Sequence, residues 1–183
     1  EKHLKEVQES NEELTTIGVI RLARELQKKE SGETPPLPKG KYKVLYCDPP
    51  WMYGQEQHSK KQQDTTLANH YPPMPTEDIK ALPISEVARE NSVLFLWTTS
   101  PKLFEAKEVL DAWGFDYKSS MVWDKVKHNV GYYVSVRHEF LLIATKGSCL
   151  PDSHKLIDSV VSIERTEHSK KPPEFYDIIE TMY

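Results

Sequence analysis

Cys47-Asp48-Pro49-Pro50-Trp51 is the stretch of this chain best equipped for chemistry. The two prolines fix φ and carry no backbone donor, so the pair offers carbonyl oxygens and no N–H groups. Asp48 adds a carboxylate acceptor and Trp51 a flat apolar face. Together they form a ledge of acceptors beside a stacking plate. An exocyclic amine on a flat ring, as in adenine or cytosine, fits such a ledge. The plainer alternative is a strand-to-loop turn with Trp51 buried as core, since Asp and Pro are ordinary turn residues. Position favours function: Tyr42–Tyr46 reads as a buried strand, and open α/β sheets bind ligands just past the carboxyl ends of their strands.

Other reactive groups are scattered. Basic clusters occur at Lys60-Lys61, at Lys125 with Lys127 and His128, and at His168-Ser169-Lys170-Lys171. Each is also compatible with a solvated face. The histidines at 3, 58, 70, 128, 138, 154 and 168 have no metal-ligand spacing, so no metal site is expected. There is no Gly-x-Gly-x-x-Gly and no phosphate-binding Gly-Lys-Ser, which disfavours a dinucleotide dehydrogenase or a P-loop kinase.

The elements that must position these groups alternate in type. Residues 1–33 read as helical, with an apolar stripe including Leu14, Ile17, Ile20 and Leu26 and a break near Gly18. Residues 31–40 are a linker by composition. Strands are expected at Val44–Cys47, Val93–Trp97, Tyr117–Trp123 and Phe140–Thr145, with a weaker one at Val160–Ile163. A helix is expected from Thr76, with Thr76 as its cap, and a short helical piece at Ser85–Glu90. Another opens with Ser100 as N-cap and Pro101 at N1 and ends at Gly114. A last one follows Pro172-Pro173. Residues 52–75 and 126–137 read as long polar loops beside strand ends, candidates for clamping nucleic acid. The alternation predicts an α/β sheet with helices on its faces.

Composition sets outer bounds. The 183 residues suffice for one domain with a sizeable core. A net charge of −4 argues against a protein that coats nucleic acid non-specifically, without excluding a local basic rim. No apolar run reaches the ~20 residues of a membrane span. The two cysteines, Cys47 and Cys149, form no metal or redox motif and suit a reducing cytoplasm.

Taken in order, several blocks resemble the adenine-N6 methyltransferases of the Asp-Pro-Pro-Trp class, the family of the messenger-RNA adenosine methyltransferase catalytic subunit. They are Tyr46–Trp51, His70–Met74, Leu94–Thr98, Trp113–Phe115, Val122–Lys125, His138–Leu142 with Lys146-Gly147, and His168–Pro172. A Cys, Cys47, stands where the family has Ala before the acid. The short chain resembles a bacterial or phage member.

The resemblance implies a Rossmann-like sheet with helices on both faces, a permuted motif order, and S-adenosylmethionine as cofactor. It implies a methyltransferase domain over residues 41–183 behind an N-terminal segment over 1–40. It also implies a further strand and loop beyond Tyr183, so the domain's C-terminal end is expected to lie outside this sequence. Asp48, Pro49, Pro50 and Trp51 would be catalytic. Asp48 and Lys171 would meet the cofactor, Lys171 at its carboxylate. Trp51, Tyr71, Lys125 and Glu139 would meet the substrate. In this reading Asp48 and the Pro49 carbonyl accept the two amine hydrogens and free the nitrogen lone pair for in-line attack. The expected substrate is nucleic acid, DNA more than RNA, in the cytoplasm and without a membrane. The N-terminal helices are available for pairing with a second subunit. Two alternatives stay open: a cytosine amino-methyltransferase, and a non-catalytic subunit that only binds nucleic acid.

Overall fold

The computed structural model describes residues 37–53, 73–131, 133–166 and 170–183. The predicted N-terminal helices, most of the first polar loop, Tyr71, His168 and Ser169 lie outside the described residues.

The strands are β1 (Tyr42–Cys47), β2 (Ala88–Thr98), β3 (Asp116–Asn129), β4 (Val136–Lys146) and β5 (Val160–Ser162). Among the described residues they form one five-stranded mixed sheet in the order β1-β2-β4-β3-β5. β1 pairs with β2 in parallel, and β3 with β5 in parallel. β4 runs antiparallel to both its neighbours. The carboxyl ends of β1, β2, β3 and β5 therefore share one edge with the amino end of β4.

Strict alternation in the apolar strands builds two cores. Leu45, Leu94, Leu96, Leu142 and Ala144 face one side of the sheet. Tyr46, Val93, Phe95, Trp97 and Leu141 face the other. A strand buried on both faces has to be apolar throughout, which is why Val93–Trp97 and Phe140–Thr145 read so clearly. The first face is covered by α1 (Thr76–Lys80), α2 (Ile84–Val87) and α3 (Leu103–Ala112), through Ile79, Ile84, Ala106, Val109 and Leu110. The second is covered by α4 (Glu174–Met182), through Phe175 and Ile179. Full burial of each such side chain contributes about 1.5–3 kcal/mol. The architecture is thus an α/β sheet with helices on both faces. Among the described residues no helix is long and apolar enough to cross a membrane.

Trp97, Trp113 and Trp123 are core residues, as their positions in the apolar pattern imply. Trp97 is the hub of one core. Its ring meets Tyr46, Trp123 and Phe175 edge-on, and its indole N–H donates to Tyr46 Oη at 2.6 Å.

Four local expectations are corrected. Thr76 is not a cap: Pro75 occupies that position, and the Thr76 hydroxyl donates to the Glu105 carboxylate of α3. Ser100 does not cap α3 either. Ser100–Lys102 is a 3₁₀ turn before the helix, and the Ser100 hydroxyl pairs with His138 Nε2 at 3.1 Å. Helical structure at 85–90 ends at Val87, where β2 begins and claims the backbone bonds. Half of 126–137 is strand rather than loop: β3 runs to Asn129 and β4 starts at Val136, the two meeting at the Asn129–Val136 pair after a register shift.

Candidate active site at the sheet edge

The ledge is held by backbone bonds on both sides. Trp51 N–H donates to Pro49 O at 2.9 Å, closing a three-residue turn, and Met74 N–H donates to Pro50 O at 2.7 Å. Each proline carbonyl thus accepts one bond, and a carbonyl has two lone pairs. Trp51 is only 8% exposed and belongs to the core with Leu96 and Trp113. Its indole N–H donates to the Trp97 carbonyl at 3.1 Å. In this position the indole ties the turn to the end of β2.

Asp48, Lys125, Glu139 and Lys171 come from separate segments and meet here. Asp48 follows β1, Lys125 lies on β3, Glu139 sits near the start of β4, and Lys171 precedes α4. Lys171 Nζ is 3.1 Å from Asp48 Oδ1 and 3.1 Å from Glu139 Oε2. Lys125 Nζ donates to the other Glu139 oxygen, Oε1. The result is a row of alternating charges, Asp48, Lys171, Glu139 and Lys125. Lys171 also lies 5.3 Å from the centroid of the Trp97 ring, and Lys125 5.0 Å from that of Trp123. Aromatic faces favour ammonium groups at such distances.

Electrostatics favours the charged forms of Glu139 and Lys171. Burial pushes the Glu139 carboxyl up, but Lys171 and Lys125 outweigh it and leave its pKa below the usual value. Burial likewise opposes the Lys171 ammonium, and Asp48 with Glu139 outweighs that and holds its pKa up. Buried charges survive only when paired in this way.

Sequence reading missed the other side of the mouth. Tyr53 is 44% exposed, with its hydroxyl 2.7 Å from Thr99 Oγ1. Its phenol is pushed up by burial, with the Thr99 bond opposing. Lys102 Nζ stands 5.7 Å from the centroid of its ring. Thr99, Ser100 and His138 flank it at the ends of β2 and β4. The available signal was topological: Thr99-Ser100 directly follows a buried strand, and Tyr53 comes two residues after Trp51.

Asp124 is a bracket behind Lys125. Its carboxylate accepts from Val126 N–H at 3.0 Å, Arg137 Nη2 at 2.8 Å and Ser162 Oγ at 3.2 Å, joining β3, β4 and β5. The Val126 N–H is the main reason its carboxyl lies below the usual range. Val126 itself has φ 65°, a left-handed conformation that is an outlier for a β-branched residue.

Lys171 offers a point charge of the kind that could hold a ligand's carboxylate. The MT-A70 family model matches residues 42–183. The type II methyltransferase M.MunI of Mycoplasma sp is 32% identical over 164 residues, covering 81% of this chain and 70% of that protein. The N(6)-adenosine-methyltransferase subunit METTL3 of Danio rerio is 25% identical over 151 residues, 78% of this chain but 24% of its own length. The catalytic subunit METTL3 of Homo sapiens gives the same identity and the same coverage, 78% and 24%. The chain thus spans about a quarter of the METTL3 proteins. It belongs to the MT-A70 family, whose members are adenine-N6 methyltransferases that use S-adenosylmethionine.

Proposed function

We propose that this chain methylates the N6 amino group of adenine in nucleic acid, with DNA as the polymer. The observation that carries the reading is the Asp48–Lys171–Glu139 contact at the carboxyl edge of the sheet, next to the Pro49 and Pro50 carbonyls. DNA is favoured by the 32% identity to the type II methyltransferase against 25% for METTL3.

Bound S-adenosylmethionine supplies an electrophilic methyl group. The chain's own residues prepare the amine. Asp48 and the second lone pair of Pro49 O accept its two hydrogens, which draws the nitrogen out of conjugation with the ring. Acceptors fixed in advance stabilise the positive charge that grows on nitrogen. The amine then sheds one proton, and the Asp48 carboxylate is the acceptor already bonded to it. Lys171 holds Asp48 in place and would be the residue that holds the cofactor's carboxylate. Glu139 and Lys125 line the base's side of the site, and Trp51 supports the ledge from the core. Tyr71 completes the substrate contacts in this reading.

The same reading makes the domain over residues 41–183 a Rossmann-like methyltransferase with permuted motif order, and the segment over 1–40 a helical unit that pairs subunits. Cys47 and Cys149, neither of them in a disulfide, fit work in the cytoplasm.

The test is incubation with methyl-labelled S-adenosylmethionine and matched DNA and RNA, followed by nucleoside analysis. Labelled N6-methyldeoxyadenosine is expected. Methylcytosine without methyladenine, or no transfer to any strand, would overturn the reading.

A further inference from the structure

β3 and β4 continue beyond the sheet that supports them. β2 stays with β4 only as far as the Thr98–Phe140 pair, and β5 stays with β3 only as far as Asp124–Ser162. Past those points the two strands continue as a bulged hairpin arm, flanked at its base by the Arg165 N–H bond to Lys125 O and rejoined at the Asn129–Val136 pair after a shift of register. Its turn is tightly made: a Cβ on Gly131 would lie 2.2 Å from the Val134 carbonyl oxygen. Val130 and Tyr133 at the tip are fully exposed, and Val134 largely so.

The ribbon is also basic. Between Lys125 and Glu139 the sequence holds Lys127, His128, Arg137 and His138 and no acid. Lys127 pairs with Glu164, and Arg137 with Asp124, both from outside the ribbon. Lys127 and Glu164 are more than half exposed, and such pairs hold weakly and exchange readily for phosphate.

We propose that this ribbon docks on duplex DNA beside the target base, its apolar tip entering the major groove and Lys127 and Arg137 facing the backbone. The inference rests on the nucleic-acid methyltransferase reading. Three physical points carry it. An exposed apolar tip on a projecting hairpin marks an interaction site. The major groove of B-form DNA admits a two-stranded β-ribbon, whereas that of A-form RNA is too narrow for side chains to read. The stem begins at Lys125 and Glu139, so the ribbon leaves the sheet at the acid–lysine row itself. A base in a duplex must leave the stack to reach Asp48.

The test compares the wild-type chain with Tyr133→Ser and with the triple variant Val130→Ser, Tyr133→Ser, Val134→Ser. All three positions are exposed, so folding should survive, and circular dichroism checks it. Fluorescence anisotropy is measured with a labelled adenine-containing DNA duplex, an RNA duplex of the same sequence and a single strand; sedimentation gives the mass. The wild type should prefer the DNA duplex. Tyr133→Ser should weaken duplex binding about tenfold, within the range that loss of one aromatic–base contact gives, with mass and single-strand binding unchanged. Three results would overturn the proposal: equal duplex binding by variant and wild type, a wild-type preference for the RNA duplex, or a variant that dissociates from dimer to monomer. Methyl transfer to single-stranded DNA is scored separately. Absence of transfer to any strand, duplex or single, in the wild type refutes the enzymatic reading, while the anisotropy still decides the ribbon.

Discussion

Lys171 Nζ lies 3.1 Å from Asp48 Oδ1, joining the segment before α4 to the end of β1. The acid proposed to meet the amine is thus oriented by a lysine. Asp48→Asn keeps the shape of the side chain and removes its charge. Methyl transfer should fall about 100- to 1000-fold, the usual loss for one preorganised electrostatic partner. The thermal midpoint should change little, because Lys171 keeps Glu139. A labelled-methyl assay beside a melting curve checks both. Transfer within tenfold of wild type would remove Asp48 from the mechanism.

Glu139 joins two lysines at once, Lys171 at 3.1 Å and Lys125 through its other oxygen. Glu139→Gln should destabilise the fold by about 3–5 kcal/mol, the range for breaking a buried ion pair from one side. The pH dependence follows from the depressed carboxyl. Its stabilising contribution is complete above the unfolded-state value of about 4.3 and is lost as pH falls through the lower folded value. Lys171 acts oppositely: its contribution is complete below the unfolded-state value of about 10.4 and is lost as pH rises through the higher folded value. Denaturant titrations at pH 7 and pH 3.5 test the acid limb, with both pH values chosen to bracket about 4.3. The gap between wild type and Glu139→Gln should narrow at the lower pH, and a constant gap would contradict the assignment.

How much of this was legible in the sequence depends on range. Val93–Trp97 and Phe140–Thr145 are visible because strands buried on both faces must be apolar at every position. Asp48-Pro49-Pro50-Trp51 is visible because few turns concentrate acceptors so densely. The burial of Trp51 is not visible, since an indole just past a strand end can point into either the core or the cleft. Lys125, Glu139 and Lys171 were identified by resemblance. Their contact depends on β4 inserting antiparallel between β2 and β3, which no local pattern encodes. The capping roles expected of Thr76 and Ser100 failed for a related reason. Each hydroxyl is taken by a partner far away in the chain, Glu105 and His138.

Tyr53 stands at the mouth of the site with its hydroxyl fixed by Thr99. With Trp51 buried, Tyr53 is the aromatic surface open beside the row. Tyr53→Ala should raise the KM for nucleic acid about 5- to 150-fold, the span of a lost base–aromatic stack of ~1–3 kcal/mol. Tyr53→Phe, which loses the Thr99 bond but keeps the ring, should raise it only a few-fold, as one hydrogen bond of about 1 kcal/mol implies. Affinity for S-adenosylmethionine, measured by calorimetry, should stay close to wild type in both. If Phe and Ala behave alike, the ring is not the working part.

Gly114 and Gly147 separate conformation from crowding. Gly114 ends α3 with φ +76°, donating to Asp111 O while Phe115 N–H donates to Leu110 O, a left-handed helix stop. A Cβ there meets nothing within 4 Å, so Gly114→Ala should cost only the left-handed conformation, about 1–2 kcal/mol. Gly147 has φ +60°, and a Cβ would lie 2.4 Å from Asn91 Oδ1 and 2.6 Å from Glu90 O. Gly147→Ala should therefore destabilise more than Gly114→Ala in denaturant titration. Equal losses would mean that the turn after β4 yields freely.

Asp124 is expected to act as a positioning residue for Lys125. Its carboxylate binds the Val126 N–H, Arg137 and Ser162, and Val126 keeps φ 65° next to Lys125. A backbone in that region costs of order 1–3 kcal/mol and persists only where its surroundings impose it. Asp124→Ala removes the imposition, so Val126 should relax and carry Lys125 away from Glu139. Asp124→Asn keeps an oxygen for the Val126 N–H and should retain most of the activity. Val126→Gly separates the two effects: it removes the Cβ strain while Asp124 still accepts the N–H, so transfer should stay near wild type. The expected order of methyl-transfer rates is wild type, then Val126→Gly and Asp124→Asn together, then Asp124→Ala about tenfold lower, a loss of about 1.4 kcal/mol. A structural role alone would lower stability in Asp124→Ala without changing the rate of the folded fraction. The rate per folded molecule, with the folded fraction taken from circular dichroism, therefore decides whether the bracket aims Lys125 or merely ties β3, β4 and β5 together.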